Sequence, residues 1–441
     1  MFQNRLLMLA LVCTGSIAVW GIVDTEGLAQ LANKVVAAQF ESRGWFIMLT
    51  ASFMLLVAIV LACSSYGRIR LGNDDDRPEF PTISWLTMLF AAGMGVGLLF
   101  YASAEPLTHY GFFEGKNARE AANSALFITN FHWGLHAWAI YAMTGLVIAY
   151  FSFRKGLPTL VGAPIPAVLC SNSVTRSIGW ICNLLAIVAI AIGLSGSVAM
   201  GVFQVQQGVN VLAGWQEPGL TVSLAIFVVL CISFTLPLLV DLGKGMALLS
   251  NVAMGIAVLL LLFVLLTGPT NYLMGVTVQS IGEYFASVIP HGFRTYTFLD
   301  GEVSNWFQGW TLNYMVWWLA WAPFVGVFIA RISRGRTIRE FLVGVIVVPT
   351  AFSMLWFGVF GGIGFFGVLQ TDLPLMETLN TDIDAVTFFV LQQLPLSSLT
   401  TLLVVVAAFL FVVTSVVSAA FVLAIFSTNG NLEPSTKVKL S

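Results

Sequence analysis

Residues 313–336, NYMVWWLAWAPFVGVFIARISRGR, form an apolar stretch long enough to cross a membrane, and it contains three tryptophans, a proline and terminal arginines. Leucine and valine would suit lipid at least as well as Trp317, Trp318 and Trp321, so these rings indicate a further role. Flat, electron-rich ring faces bind organic cations. For a lone tryptophan, an interfacial belt or ordinary helix packing is the better explanation. The stretch therefore predicts a membrane helix adapted to hold a ligand.

The composition of the whole chain indicates a membrane protein. Of its 441 residues, 58% are apolar and 9% are charged, and apolar runs of about 20 residues recur along it. A formal net charge of -2 gives no indication of a nucleic-acid partner. We predict an all-α polytopic membrane protein with ten spans, near residues 5–23, 45–63, 84–104, 125–152, 178–211, 219–240, 246–268, 309–330, 341–369 and 397–427.

Basic residues predict the orientation of these spans. In a ten-span arrangement, fourteen of the 19 lysines and arginines fall on one side of the membrane. The positive-inside rule places that side, and with it both termini, in the cytoplasm. The arginine run at 331–339 is explained first as part of this signal. A nucleotide or anionic-lipid site there is the minor alternative.

The third span carries a second motif, GMGVG at residues 93–97. Three glycines at a spacing of two, Gly93, Gly95 and Gly97, weaken a helix and expose backbone N–H and C=O groups. Lipid would penalise each unpaired group by several kcal/mol, so we predict an unwound segment that lines a cavity. A glycine face for helix packing is the alternative, but such faces prefer a spacing of four.

The third and eighth spans, both predicted to be interrupted, cross the membrane in opposite directions. Inverted repeats that each begin with a broken helix are typical of secondary transporters, which bind substrate near the bilayer midplane. The residues thus predict an alternating-access carrier. We divide the chain into two leading helices (1–83), a first five-helix repeat (84–268), an outer connector with a short amphipathic helix (269–308), an incomplete three-helix repeat (309–427) and a short cytoplasmic tail (428–441).

The fourth span adds the aromatic segment FHWGLHAWAIYA at residues 131–142. It places Trp133 and Trp138 on neighbouring turns, with Tyr141 beside Trp138 at helical spacing. Together with Trp318 they can form a box of ring faces. Each cation–π contact is worth about 0.5–2 kcal/mol, so four rings can hold a quaternary ammonium group without a buried carboxylate.

Other polar residues near these spans are weaker indications of function. Glu105, at the outer end of the third span, is predicted to join an extracellular gate network or to lie in an exposed loop. With His132 and His136 it resembles a metal site, but core hydrogen bonding is favoured because no third ligand stands at a fixed spacing. No nucleophile elbow, P-loop or HExxH motif occurs, so the sequence does not indicate an enzyme.

GMGVG followed by AEPLTHY, the HWGLHAW segment, and WWLAWAPFVGVFIARISRGRTIREF together resemble the betaine/choline/carnitine transporter family, from the first span through the tenth. The resemblance implies the LeuT-like, inverted-repeat fold of the neurotransmitter:sodium symporters. It also implies a homotrimer, which we expect in a bacterial inner membrane. By this resemblance the ammonium group binds among Trp133, Trp138, Tyr141 and Trp318, while Trp317 and Trp321 line the route inward.

The resemblance also limits the substrate. Family members that prefer choline tend to have aspartate at the last position of the glycine motif, and this chain has Gly97. We therefore expect a zwitterion such as glycine betaine or a related onium compound. The family implies that its carboxylate binds backbone N–H groups around Ala92, Met94 and Val96.

Sodium is the coupling ion that the resemblance implies, and no organic cofactor is expected. In sodium-coupled members one Na⁺ lies between the unwound third span and the tenth span, and the corresponding residues are Ala91, Met94, Phe411, Thr414 and Ser415. Ala91, Met94 and Phe411 would use carbonyl oxygens. The two hydroxyls could instead bond back to their own helix.

A second Na⁺ site stays open at the level of sequence. It would need fifth-span hydroxyls near Phe324, where the chain offers only Ser195 and Ser197 in an altered pattern.

The chain also departs from the family pattern. Val417 stands where relatives commonly have an acid. The resemblance implies twelve helices, and the ten predicted spans lead us to expect that the last two are absent from this chain. Proton-coupled or exchange transport of choline- or carnitine-type substrates therefore remains an alternative. A truncated protein that does not transport is another.

Overall fold

The structure is a computed structural model, and it describes residues 5–113, 117–215, 219–239, 242–299, 301–435 and 438–439. The last residues of the predicted tail, 436–437 and 440–441, lie outside this range. The helices are α1 (Arg5–Val23), α2 (Thr25–Cys63), α3 (Thr82–Gly93), α4 (Gly97–Phe100), α5 (Ala104–Phe113), α6 (Ala118–Trp133), α7 (Leu135–Lys155), α8 (Pro164–Val168), α9 (Ser173–Ala213), α10 (Leu220–Leu239), α11 (Leu242–Thr267), α12 (Thr270–His291), α13 (Gly301–Phe307), α14 (Asn313–Ile332), α15 (Ile338–Leu342), α16 (Val348–Gln370), α17 (Leu375–Thr381), α18 (Val386–Gln392) and α19 (Ser397–Ser427).

The predicted all-α polytopic architecture is confirmed. Among the described residues, eight helical stretches are long and apolar enough to cross a membrane. The other two predicted spans are helical as well. One is divided between α3 and the helices after it, and the other is α10. The tenth predicted span, 397–427, has the bounds of α19.

The third span is unwound at the glycine motif, as predicted. Helix α3 ends at Gly93 and α4 begins at Gly97. Between them Gly95 adopts a positive φ of 50°, which an L side chain would strain. The break therefore needs glycine at this position for a backbone reason.

The eighth span does not break as expected. Helix α14 continues through Pro323, although proline removes one helical hydrogen bond. Its irregular part is a π-helical turn at Gln308–Leu312, directly before the helix. Neighbouring helices bury most of α14, and this packing holds the helix together across the proline.

A second break lies in the fourth span, at Gly134 between α6 and α7. The hydroxyl of Tyr284, on α12, occupies the place where a β-carbon of residue 134 would lie. The N–H of Leu135 donates to that hydroxyl over 2.8 Å. The connector helix α12 is longer than predicted and packs through one buried face, so it reaches the break directly after Trp133.

The arginine run after α14 lies on the predicted cytoplasmic side and packs against the segment that follows α2. Each of its four arginines has a partner among residues 62–80. Two form ion pairs: Arg331 with Glu79 at 2.6 Å and Arg334 with Asp76 at 3.1 Å. These contacts connect the loop after α2 to the loop after α14, and they leave the nucleotide alternative without support.

The orientation of the spans can be tested with the protein's own cysteines. Cys63 and Cys170 are free and exposed, and both lie on the side predicted to be cytoplasmic. We expect a membrane-impermeant maleimide to label them only after intact cells are permeabilised.

The control for this labelling uses the opposite side. Phe298 is 99% exposed in the predicted outer loop. A variant that combines Cys63→Ser, Cys170→Ser and Phe298→Cys should be labelled in intact cells. Labelling of Cys170 in intact wild-type cells would reverse the predicted topology.

Candidate functional site

Aromatic rings from α6, α7 and α14 surround a cavity beside the break in the third span. The rings of Trp133 and Trp318 lie 5.3 Å apart and those of Tyr141 and Trp318 5.5 Å apart, both nearly perpendicular. All three rings are buried and line the cavity. We call Trp133, Tyr141 and Trp318 the aromatic cage.

The other predicted rings divide into two groups. Trp317 and Trp321 line the cavity, and Trp317 stacks on Trp318 with centroids 5.8 Å apart. Trp138 does not line it. Its ring lies behind Tyr141, with centroids 5.7 Å apart, and stacks against Phe90. The structure therefore places Trp138 as a support for the cage.

The outer two glycines of the motif allow tryptophan rings to lie against the broken backbone. A β-carbon at Gly97 would lie 2.8 Å from the Trp133 ring, and one at Gly93 would lie 2.8 Å from the Trp138 ring. Real β-carbons essentially never come so close to a neighbour. The three glycines of the motif are therefore needed for different reasons. Gly93 and Gly97 make room for tryptophan rings, whereas Gly95 is required by its backbone conformation.

Backbone donors of the break are free to bind a ligand. The N–H groups of Gly95, Val96 and Gly97 donate to no acceptor among the described residues, and all three residues line the cavity. Of the three residues predicted to donate their N–H groups, two are not available. The N–H of Met94 donates to the carbonyl of Phe90, and Ala92 lies inside α3 away from the cavity lining. Val96 is therefore the predicted donor that remains available.

The predicted sodium ligands come from the end of α3 and the middle of α19. The Ser415 hydroxyl lies 3.5 Å from the Ala91 carbonyl oxygen, and the Thr414 hydroxyl donates to the Phe411 carbonyl over 2.9 Å. Met94 follows the end of α3 and lines the cavity. Because α3 stops at Gly93, carbonyls of its last turn lack helical partners. Carbonyl and hydroxyl oxygens of this kind suit Na⁺.

The two hydroxyls considered for a second sodium site have different surroundings. Ser195 is exposed and donates to the Ala191 carbonyl of its own helix over 2.8 Å. Ser197 lines the main cavity instead. Helix α9 also contributes Leu194, Val198 and Met200 to this cavity. No motif distinguishes these apolar residues from others in the same helix.

Glu105 is fully buried and accepts four hydrogen bonds. One oxygen accepts from Trp133 over 2.7 Å and Tyr314 over 2.6 Å, and the other accepts from His132 over 2.7 Å and His109 over 3.3 Å. Of the two positions predicted for Glu105, the exposed loop is wrong. Tyr314 and His109 were missed, although the spacing of four between Glu105 and His109 was a usable signal.

His136 is not part of this group. Its ring instead lies 3.3 Å from the hydroxyl of Ser52, on α2. The favoured interpretation, in which His132 and His136 make core hydrogen bonds, agrees with these contacts. A metal site of Glu105, His132 and His136 does not form, because Gly134 breaks the helix between the two histidines.

The site combines a broken helix that has free backbone donors with aromatic rings, and it lies inside a bundle of membrane-spanning helices. This combination is typical of a membrane transport protein. The family model described as "BCCT, betaine/carnitine/choline family transporter" matches residues 5–441. The chain belongs to the betaine/carnitine/choline family of transporters, and it is a multi-pass membrane transporter, not an enzyme.

The names of similar proteins agree with this assignment. The chain is 39% identical over 444 residues to the glycine betaine transporter OpuD of Bacillus subtilis, covering 99% of this chain and 85% of that protein. It is 35% identical to a probable glycine betaine transporter of Desulfitobacterium hafniense, covering 99% and 87%. It is 33% identical to an ectoine/hydroxyectoine transporter of Virgibacillus pantothenticus, covering 90% and 79%.

The close approach at Gly97 predicts a stability effect. Gly97→Ala should lower the free energy of unfolding by about 1–3 kcal/mol, because the new methyl group overpacks against Trp133. The apparent thermal midpoint of the purified protein measures this.

Gly196→Ala is the matched control for that substitution. Gly196 lies in α9, and a β-carbon there meets nothing within 4 Å. It should leave the midpoint unchanged or raise it, since alanine favours a helix. Equal midpoints for Gly97→Ala and Gly196→Ala would contradict the assigned contact.

Proposed function

We propose that this transporter is a secondary active importer of an onium zwitterion of the glycine betaine type, coupled to Na⁺ and working by alternating access. The aromatic cage is the observation that supports this most directly. None of the described residues that line the cavity carries a charge. A permanently charged methylated head group would bind there through ring faces alone.

The absence of a counter-charge among those lining residues favours a zwitterion over a simple cation. A buried cation needs compensation, and a substrate with its own carboxylate supplies it. That carboxylate would accept hydrogen bonds from the free N–H groups of Gly95, Val96 and Gly97. The Tyr141 hydroxyl is a further donor, since it is buried without a described partner.

Alternating access is supported by the closed surroundings of the cage. Trp133 and Tyr141 are 1% exposed, so a substrate cannot reach them without movement of the protein. The ion pairs of Arg331 and Arg334 lie on the predicted inner side, and the Glu105 group lies on the predicted outer side. Each set would have to open in turn.

Sodium coupling is supported by the position of Ser415, which belongs both to the predicted sodium site and to the cavity lining. Its hydroxyl faces the Ala91 carbonyl, and the residue also lines the cavity. An ion held there would stabilise the broken backbone whose N–H groups receive the substrate. Ion and substrate would thereby strengthen each other's binding. The homotrimer stays a prediction of the family resemblance.

The cage can be tested by removing one ring. Trp318→Ala should raise the concentration of glycine betaine needed for half-maximal uptake into reconstituted vesicles by about 10-fold, since one desolvated cation–π contact is worth up to about 2 kcal/mol. Trp318→Phe should lose less.

The control for ring removal is Trp45→Ala, because Trp45 is 59% exposed and outside the cavity. It should behave as wild type. Unchanged uptake by Trp318→Ala would remove the main support for the proposal, and wild-type protein that neither binds nor transports would favour a non-transporting role.

The coupling ion can be tested separately. Ser415→Ala should raise several-fold the external Na⁺ concentration required for half-maximal uptake, whereas Ser195→Ala should not, because its hydroxyl bonds only within α9. Wild-type uptake that is indifferent to Na⁺ but follows a proton gradient would refute sodium coupling.

A further inference from the structure

Three side chains with metal-binding chemistry meet behind the aromatic cage. One carboxylate oxygen of Glu105 lies 2.7 Å from Nδ1 of His132 and 3.3 Å from Nε2 of His109. These three atoms all lie within 4.8 Å of one another. We propose that Glu105, His109 and His132 form a binding site for a divalent transition-metal ion of the zinc class.

The spacing of the three atoms suits such an ion. Zinc bonds to nitrogen and oxygen are about 2.0–2.2 Å long, so tetrahedral ligands stand about 3.3–3.5 Å apart. The separation of 3.3 Å between Glu105 and His109 lies in this range, and the 2.7 Å between Glu105 and His132 is shorter. No pair of the three atoms is more than 4.8 Å apart, so an ion would need side-chain shifts but no movement of the helices. Two histidines and one carboxylate with an open fourth position is a common zinc ligand set.

The charge of the group also favours a cation. All three side chains are 0% exposed. Among the described residues, no lysine or arginine pairs with Glu105, whose partners are Trp133, Tyr314 and the two histidines. Buried carboxylates are normally paired with cations or coordinate metals. A divalent ion would supply positive charge directly beside this carboxylate.

The histidine of α6 has a partner that suits metal binding. Nε2 of His132 lies 3.0 Å from the hydroxyl oxygen of Thr311. When Nδ1 binds the ion, the ring proton moves to Nε2 and donates to that oxygen. A partner of this kind fixes the tautomer and the orientation of a metal-binding histidine.

The histidine of α5 can adopt the required tautomer as well. Nδ1 of His109 is buried and has no hydrogen-bond partner among the described residues. When Nε2 binds the ion, the proton moves to Nδ1, beside the rings of Trp306 and Trp310. Aromatic faces accept weak N–H hydrogen bonds. In these tautomers both histidines could therefore bind the ion.

Occupation of this site would act on the cage. The same Glu105 accepts from the indole of Trp133, and the carbonyl of His132 accepts from the indole of Trp318 over 2.9 Å. An ion on Glu105 and His132 would fix both rings. Because the three ligands are buried, the ion would bind when the predicted outer side opens and would then hold the cage closed.

Metal binding can be measured without transport. Purified full-length protein in detergent should bind one Co²⁺ with the visible absorption of tetrahedral coordination, and Zn²⁺ should displace it. His109→Gln can keep a donor to Glu105 but loses the ring nitrogen, so it should weaken Co²⁺ binding by at least about 10-fold, the lower bound for losing even an outer-shell partner.

His136→Gln is the matched control, because His136 is buried nearby but bonds to Ser52. It should retain the wild-type Co²⁺ spectrum and affinity. A wild-type protein without this absorption, an equal affinity in His109→Gln, or an equal loss in His136→Gln would each overturn the proposal.

A second measurement separates this site from the proposed transport activity. External Zn²⁺ should inhibit glycine betaine uptake by wild type and by His136→Gln, each relative to its own zinc-free rate, and should inhibit His109→Gln much less. If wild type shows no uptake at all, the proposed function fails while the Co²⁺ spectrum still decides the metal site.

Discussion

A membrane interior does not tolerate unpaired backbone groups, and the break between α3 and α4 places such groups in the centre of the protein. The rest of the site is arranged around this constraint. Helix α19 brings Ser415 to the carbonyl side of the break, and the cavity lies on its N–H side. A sodium ion on the oxygens and a substrate carboxylate on the N–H groups would together satisfy what the protein leaves open.

The cage depends on hydrogen bonds outside the cavity. The indole N–H groups of Trp133 and Trp318 donate to Glu105 and to the His132 carbonyl. Their polar edges are thus occupied, and apolar ring surface remains for the cavity. Rings held in this way are pre-organised, so less ordering entropy is lost when a ligand binds. In the proposed function, the buried carboxylate of Glu105 would therefore support recognition of the onium head group by holding the Trp133 ring in place.

Local sequence patterns predicted most of the helices and the ring set. Glycines at a spacing of two sufficed to locate the break, because backbone exposure in lipid is a local penalty. The pattern failed at Pro323, where burial by neighbouring helices outweighs the loss of one hydrogen bond. It also failed at Gly134, whose break depends on Tyr284, about 150 residues later in the chain. Trp138 could not be separated from the cage by spacing alone, since its place behind Tyr141 depends on contacts with Phe90 and Gly93 of another helix.

The most direct test compares glycine betaine with 3,3-dimethylbutanoate, which has the same shape and carboxylate but carbon in place of the charged nitrogen. Calorimetric binding to the purified protein measures the contribution of the positive charge alone. Three ring faces at about 0.5–2 kcal/mol each predict that the analogue without the positive charge binds at least about 10-fold more weakly. Equal affinities would contradict recognition of a cation by aromatic faces.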